Sequence, residues 1–353
     1  MKKEVIKLGF LIYLFIFSIE LIKKTSLFLA PNIKSFLIQT LTPIKAISTG
    51  WFTTSIVQSS GAIGSIAATF TGNNLITLQT AIYIMIGASL GTTITALIIS
   101  LITAAKKRRD FRHGFEIGLS YSIYSALLVI IVFLLEYFLK FFSRLSMLVA
   151  SILGEKISLL KIPNFVGIIT SPIIDFLFKR NHKFILLILG FVILIYTLKY
   201  LSNIIIIVLG GEQKARRFIN KYFKSKYKAY LIGVLITAIV FSSSITIGLL
   251  VPLAVSRLIN LKKAIPFILG ADLGTFTDVF LASIIIGKTS SLACAVAYSL
   301  FAVIGALIFL PNTNFLFKLT KYISKRLIHI SRKKALYILI AFILIPLLII
   351  LVY

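Results

Sequence analysis

Long stretches of this chain carry almost no charge, and a segment of that kind has few ways to fold. Residues 115–135, 184–198, 230–256 and 335–353 consist largely of Leu, Ile, Val, Phe and Ala. All but the second of these hold about 18 or more residues, long enough, as helices, to cross roughly 30 Å of hydrocarbon. Backbone in hydrocarbon must satisfy its own N–H and C=O groups, which leaves helices or a closed barrel. Barrel strands alternate polar and apolar side chains, whereas these runs are apolar on every side. The chain therefore reads as an all-α, polytopic membrane protein forming a single transmembrane domain over residues 1–353. A mean hydropathy of +1.03 agrees, and a charged fraction of 14% is too small to cover a soluble fold of this length.

The formal charge of +28, from 38 Lys and Arg against 10 Asp and Glu, would in a soluble chain point to nucleic acid. Here the basic residues sit in short runs between apolar ones, at 106–112, 179–183, 214–228 and 318–334. That is the distribution the positive-inside rule and an anionic cytoplasmic leaflet demand, so the expected partner is the lipid bilayer, at the plasma membrane, and not nucleic acid. Cys294 stands alone in an apolar run, and His113, His182 and His329 lie in the basic segments. Neither a disulfide framework nor a zinc ligand set is expected, and no cofactor. Residues 5–22 follow Lys2 and Lys3 with no small-residue cleavage site after them, so they read as a retained helix. Apolar sequence continues to Tyr353, and no appended soluble domain is expected.

The chain also repeats itself. Thr54-Ser-Ile-Val-Gln-Ser-Ser-Gly61 matches Thr237-Ala-Ile-Val-Phe-Ser-Ser-Ser244, and Gly87-Ala-Ser-Leu-Gly-Thr92 matches Gly270-Ala-Asp-Leu-Gly-Thr275. Both pairs keep one offset of 183 residues, as do Leu75, Leu78 and Ala81 against Leu258, Leu261 and Ala264. The repeats run over about 31–105 and 214–288. The first is followed by Lys106, Lys107, Arg108, Arg109 and Arg112, whereas the second is preceded by the basic run that ends at Lys228. With basic ends cytoplasmic, the two repeats have opposite orientations, the arrangement of inverted-repeat transporters.

In each repeat a polar cluster interrupts an apolar run at its middle, leaving arms of about 10 to 14 residues, each too short to span alone. A re-entrant helical hairpin with the cluster at its tip fits this pattern. Backbone leaving the helical ladder at that depth is tolerated where it lines a cavity or is buried in protein. N–H groups at the start of the second arm, with Ser hydroxyls beside them, suit an oxyanion. The second motif pairs two Gly four residues apart. It fits either close helix approach or, joined to the hairpin, a broken helix whose carbonyls and the Thr92, Thr93, Thr275 and Thr277 hydroxyls are neutral oxygen ligands for sodium.

The paired Gln-Ser-Ser clusters and Gly-Ala-x-Leu-Gly-Thr segments resemble the sodium–phosphate cotransporter family, type II and its bacterial relatives. The resemblance covers about residues 44–100 and 231–283. It implies inverted halves whose hairpin tips bind phosphate, with sodium as coupling ion. Ser59, Ser60, Ser242, Ser243 and Ser244 would then contact the anion, with Thr92 on the same side. Gln58, Thr93, Thr275 and Thr277 would help hold sodium. Two departures stand out. Phe241 replaces the second Gln, and Asp272 replaces the usual Asn, with Asp278 six residues on where repeat one has Thr95. Intramembrane carboxylates are expensive and mark functional sites, so Asp272 and Asp278 are assigned to the cation side, with a structural hydrogen bond or a pair to Arg257 or Lys262 as the structural alternative. The function implied is sodium-coupled phosphate symport by alternating access. Its alternatives are a carrier or exporter of another small anion, proton-coupled or not, and a structural membrane protein. An enzyme is not expected, because two carboxylates on one segment do not face each other as an aspartyl pair must.

Overall fold

The computed structural model describes residues 2–28, 42–103, 108–159, 165–178, 183–208, 223, 225–255, 257, 259–327 and 332–352. His182, His329 and much of the four basic segments lie outside the described residues. The elements are all helical among these residues: α1 (Lys2–Phe28), α2 (Pro43–Val57), α3 (Ser60–Gly72), α4 (Leu78–Gly91), α5 (Ile94–Thr103), α6 (Arg108–Leu139), α7 (Phe141–Leu159) and α8 (Phe165–Phe178). They continue with α9 (Lys183–Val208), α10 (Lys226–Val240), α11 (Ser243–Gly248), α12 (Leu250–Val255), α13 (Leu261–Gly274), α14 (Phe276–Ile286), α15 (Thr289–Phe309), α16 (Thr313–Leu327) and α17 (Arg332–Val352).

Local sequence places the helix starts, and it does so twice. Ser59 and Ser242 cap α3 and α11 by accepting hydrogen bonds from the Ala62 and Ile245 amides at 3.1 and 3.2 Å. Thr77 and Asn260 cap α4 and α13 in the same way, through the Thr80 and Lys263 amides. Each pair of caps lies 183 residues apart, so the duplication is written into the boundaries as well as the motifs. Between the two units, α6 passes to α7 through Lys140, whose φ of 49° is left-handed. The buried Glu136 carboxylate accepts from the Phe142 and Ser143 amides at 3.0 and 3.1 Å, capping α7 with a charge that would otherwise be costly to bury.

The stretches Leu78–Ser100, Arg112–Leu139, Leu261–Ile286 and Thr289–Phe309 are long and apolar enough to cross a membrane. The shorter apolar helices include Phe141–Gly154, Lys183–Thr197 and Leu339–Val352. Burial runs opposite to that of a water-soluble protein. Phe138, Leu235 and Leu307 face outward, more than half exposed, while Ser65, Thr69, Ser125 and Asp278 are fully buried. Large apolar side chains covering the outside, with hydroxyls and carboxylates inside, are what a lipid solvent selects.

The two units pack by the same rules. α2 lies against α4, and α10 against α13. Gly87 and Gly270 make the approach possible: a Cβ on either would collide with the backbone of Ile47 or Tyr230. Gly50, Gly91, Gly233 and Gly274 stand at the same two crossings. The units also interlock, since α3 packs on α14 and α15 while α12 packs on α5 and α6. Each Gly-x-x-x-Gly segment is followed by an interruption of the helix, at Thr92–Thr93 between α4 and α5 and at Thr275 between α13 and α14. The interruption is a tight turn, with the Thr93 amide donating to the Leu90 carbonyl at 3.2 Å and the Thr275 amide to the Asp272 carbonyl at 3.3 Å. The glycines act through close packing, and three-residue turns spare most backbone groups from exposure.

Candidate functional site

Both polar clusters sit where one helix stops and the next begins. Gln58 and Phe241 end α2 and α10 in the left-handed region, at φ 60° and 57°. Extended Ser59 and Ser242 follow, and the chain turns straight into α3 and α11. A left-handed residue stops a helix without needing a side-chain partner, which is why Gln and Phe serve equally as the stop while differing in what they offer a ligand. Gln58 is exposed, Ser59 and Ser242 are half-buried, and Ser60, Ser243 and Ser244 are buried.

Residues from the two repeats meet at these turns. The Thr92 hydroxyl, after α4, hydrogen-bonds the Ser244 hydroxyl at 2.8 Å, across 152 residues of sequence. The equivalent pair in the other direction is Thr275 and Gly61, and Gly61 has no side chain to offer. Asp278 takes that space instead, its carboxylate lying against the Gly61 Cα so closely that a Cβ would overlap it. The Ser65 hydroxyl donates to the Asp278 carbonyl at 3.4 Å, and the Val279 amide donates to Asp278 Oδ1 at 2.9 Å. Among the described residues nothing hydrogen-bonds Asp278 Oδ2, which is fully buried. A buried carboxylate oxygen without a hydrogen bond is costly at such a place.

Asp272 is treated differently. Its Oδ2 accepts from the Tyr124 hydroxyl at 2.9 Å, and Tyr121 lies near it as well. Tyr121 also donates to Ser243 Oγ at 3.3 Å, so one tyrosine touches the repeat-two tip while its neighbour one turn on holds Asp272. Tyr298, on α15, stands in the corresponding relation to Ser60. Thr93 accepts from Ser122 at 2.9 Å and donates to the Leu90 carbonyl. The Thr275 and Thr277 hydroxyls donate to the Ala271 and Gly274 carbonyls, leaving their lone pairs available.

The structure thus gathers Ser60, Ser243, Ser244, Thr92, Thr93, Asp272 and Asp278 around the crossing of the two units. Gln58 is exposed at the end of α2 and makes none of these contacts. Tyr121, Tyr124, Ser122 and Tyr298 are the residues that sequence reasoning missed. A signal was present: Tyr121 and Tyr124 lie three apart, hence on one face, inside an apolar run that needs no hydroxyls. An apolar groove of about 690 Å³, lined by Lys45, Phe52, Phe70, Phe191 and Leu347, contains none of these groups and opens on the outer surface.

A family model described as Na+/Pi-cotransporter matches residues 14–160 and 193–331. The chain belongs to the Na+/Pi-cotransporter family. Both polar turns of this cotransporter-family chain, and every residue gathered around them, fall inside the matched segments. The chain is similar to the sodium-dependent phosphate transport protein 2A of Rattus norvegicus, at 23% identity over 385 residues, covering 86% of this chain and 60% of the relative. The 2B protein of Bos taurus is 26% identical over 403 residues, covering 86% and 58%. A shorter match joins it to the uncharacterized protein YqeW of Bacillus subtilis, 32% identical over 111 residues, or 30% of this chain and 36% of that protein. The chain spans about 60% of the length of the mammalian relative 2A. No solved structure matches it. The family is one of membrane transporters and not an enzyme class, which agrees with the apolar helices and the buried polar site.

Proposed function

We propose that this chain is a secondary active transporter, coupling sodium entry to phosphate symport across the plasma membrane by alternating access. The observation that carries the reading is that each polar turn is met by the other repeat, Ser244 by Thr92 and Gly61 by Asp278, in a chain of this family. The two units are inverted repeats, each with a re-entrant hairpin and a broken helix. The opposed basic ends and the reciprocal packing of α3 on α14 and α12 on α5 support this arrangement.

Ser59, Ser60, Ser242, Ser243 and Ser244, with Thr92, bind the anion through hydroxyls and the free amides at the starts of α3 and α11. Gln58, Thr93, Asp272, Thr275, Thr277 and Asp278 form the cation side. Two carboxylates beside a phosphate would repel it in a medium of low dielectric constant, so a cation must enter with the anion; charge compensation is then the coupling itself. Sodium fits this donor set as a hard cation taking carboxylate and neutral oxygens, and Asp278 Oδ2 is a buried acceptor still wanting a partner. The same orphaned oxygen, with Phe241 in place of a second Gln, favours proton coupling or another small anion as the second reading.

Radiolabelled phosphate uptake into proteoliposomes, under an inward sodium gradient, a potassium control and a separate proton gradient, tests both. Sodium-dependent uptake that is lost in folded Ser59→Ala supports the proposal. Uptake driven by protons alone moves the assignment to the second reading. Asp272→Asn with unaltered sodium and pH dependence removes Asp272 from the cation side, and unaltered uptake in Ser59→Ala and Ser243→Ala leaves the polar turns a packing role only.

A further inference from the structure

Helix α16 (Thr313–Leu327) follows an apolar span but is not one itself. Thr313, Leu316, Thr320 and Ser324 form its buried stripe, and it packs on α6 and α13. Both of its ends are tied to the same edge of the protein. At the N-terminal end, Lys226 Nζ, on the first residue of α10, donates to the Pro311 carbonyl at 3.5 Å. Toward the C-terminal end, Lys321 Nζ pairs with Glu116 Oε2 at 2.6 Å and Ser324 donates to Glu116 Oε1 at 3.2 Å. Arg112 Nε completes that cluster at 3.1 Å, and Arg112 and Glu116 lie in the early turns of α6. The starts of α10 and α6 are the ends that the basic segments 214–228 and 106–112 adjoin. A helix of 15 residues is about 22 Å long, and one that crossed the bilayer would have its ends on opposite edges. α16 therefore runs along the basic edge.

Its outward face has a composition of its own. Phe315 and Tyr322 are 52% and 54% exposed, and Lys318, Lys325 and Arg326 are exposed beside them. The Arg326 guanidinium lies over the Tyr322 ring, 4.5 Å from its centroid. Aromatic rings with long basic side chains are the pairing found where hydrocarbon gives way to headgroups: the rings and methylene stems sit in the boundary while the cations reach outward. We propose that this face of α16 is a binding surface for the headgroups of anionic phospholipids in the cytoplasmic leaflet, with Lys318, Lys325 and Arg326 as the phosphate-binding cations. Charge complementarity decides the occupant, because the face carries three cations and that leaflet is the anionic one. The inference rests on the membrane reading with basic ends cytoplasmic, and not on the identity of the transported anion.

The test uses the full chain with Tyr322→Trp, reconstituted in vesicles containing dibrominated phosphatidylglycerol or dibrominated phosphatidylcholine. The signal of Trp51, the single native tryptophan, is subtracted using the parent protein. Stronger quenching by the phosphatidylglycerol is expected, with the preference falling about fivefold for each of Lys318→Gln, Lys325→Gln and Arg326→Gln. Equal quenching by the two lipids overturns the proposal, and so does quenching by neither. Phosphate uptake by the same vesicles is read alongside, so that failure of the lipid site and failure of the transport reading are separate results. Labelling of Lys318→Cys in intact cells by an impermeant thiol reagent would overturn the assigned leaflet.

Discussion

The contact between Gly61 and Asp278 makes a sharp prediction, because it joins the two repeats at one point and leaves no room. A Cβ on Gly61 would lie 2.6 Å from Asp278 Oδ1 and nearer still to Cγ and Oδ2. Ordinary contacts of this kind need about 3.5 Å, so in Gly61→Ala the carboxylate must withdraw its nearest oxygen by about 2 Å. It has little freedom to do so: it is fully buried and held by the Val279 amide at 2.9 Å. Overpacking of this kind costs about 1–3 kcal/mol, which lowers the apparent melting temperature of the purified protein by a few degrees. In an Asp278→Ala background the obstacle is gone, and the same Gly61→Ala change should cost less than about 0.5 kcal/mol. Thermal unfolding of the four proteins in one detergent measures this cycle independently of transport. An equal cost of Gly61→Ala in both backgrounds would refute the placement of Asp278 against the first polar turn.

Two further outcomes follow from local geometry. Ser244→Ala leaves the buried Thr92 hydroxyl without its cross-repeat partner and should cost about 1–3 kcal/mol in stability, whereas Thr92→Val leaves the Ser244 hydroxyl the Thr92 carbonyl at 3.5 Å and should cost less, with the double variant little worse than Ser244→Ala, read by the same unfolding assay. Lys140→Gly should stabilise by up to about 1 kcal/mol, seen as a raised melting temperature, because Lys140 is exposed and pays the left-handed penalty that glycine escapes.

The sequence by itself determined the helical class, the lipid solvent, the duplication at 183 residues and the interruption of each apolar run at its serines. All of these follow from composition or from rules that act within about four residues, such as capping by Ser59, Ser242, Thr77 and Asn260. Only the tertiary structure decided which polar group answers which. Tyr124 reaches Asp272 across 148 residues, Tyr121 reaches Ser243 across 122, and Asp278 fills the space beside Gly61. Nor could spacing say which backbone would come up against Gly87-x-x-x-Gly91 and Gly270-x-x-x-Gly274. The glycines admit the carbonyls of Ile47 and Tyr230, brought in by neighbouring helices, and the helix is interrupted just after them, at Thr92–Thr93 and Thr275. A buried polar atom must find a partner, but the chain does not say locally where that partner comes from; packing at long range does.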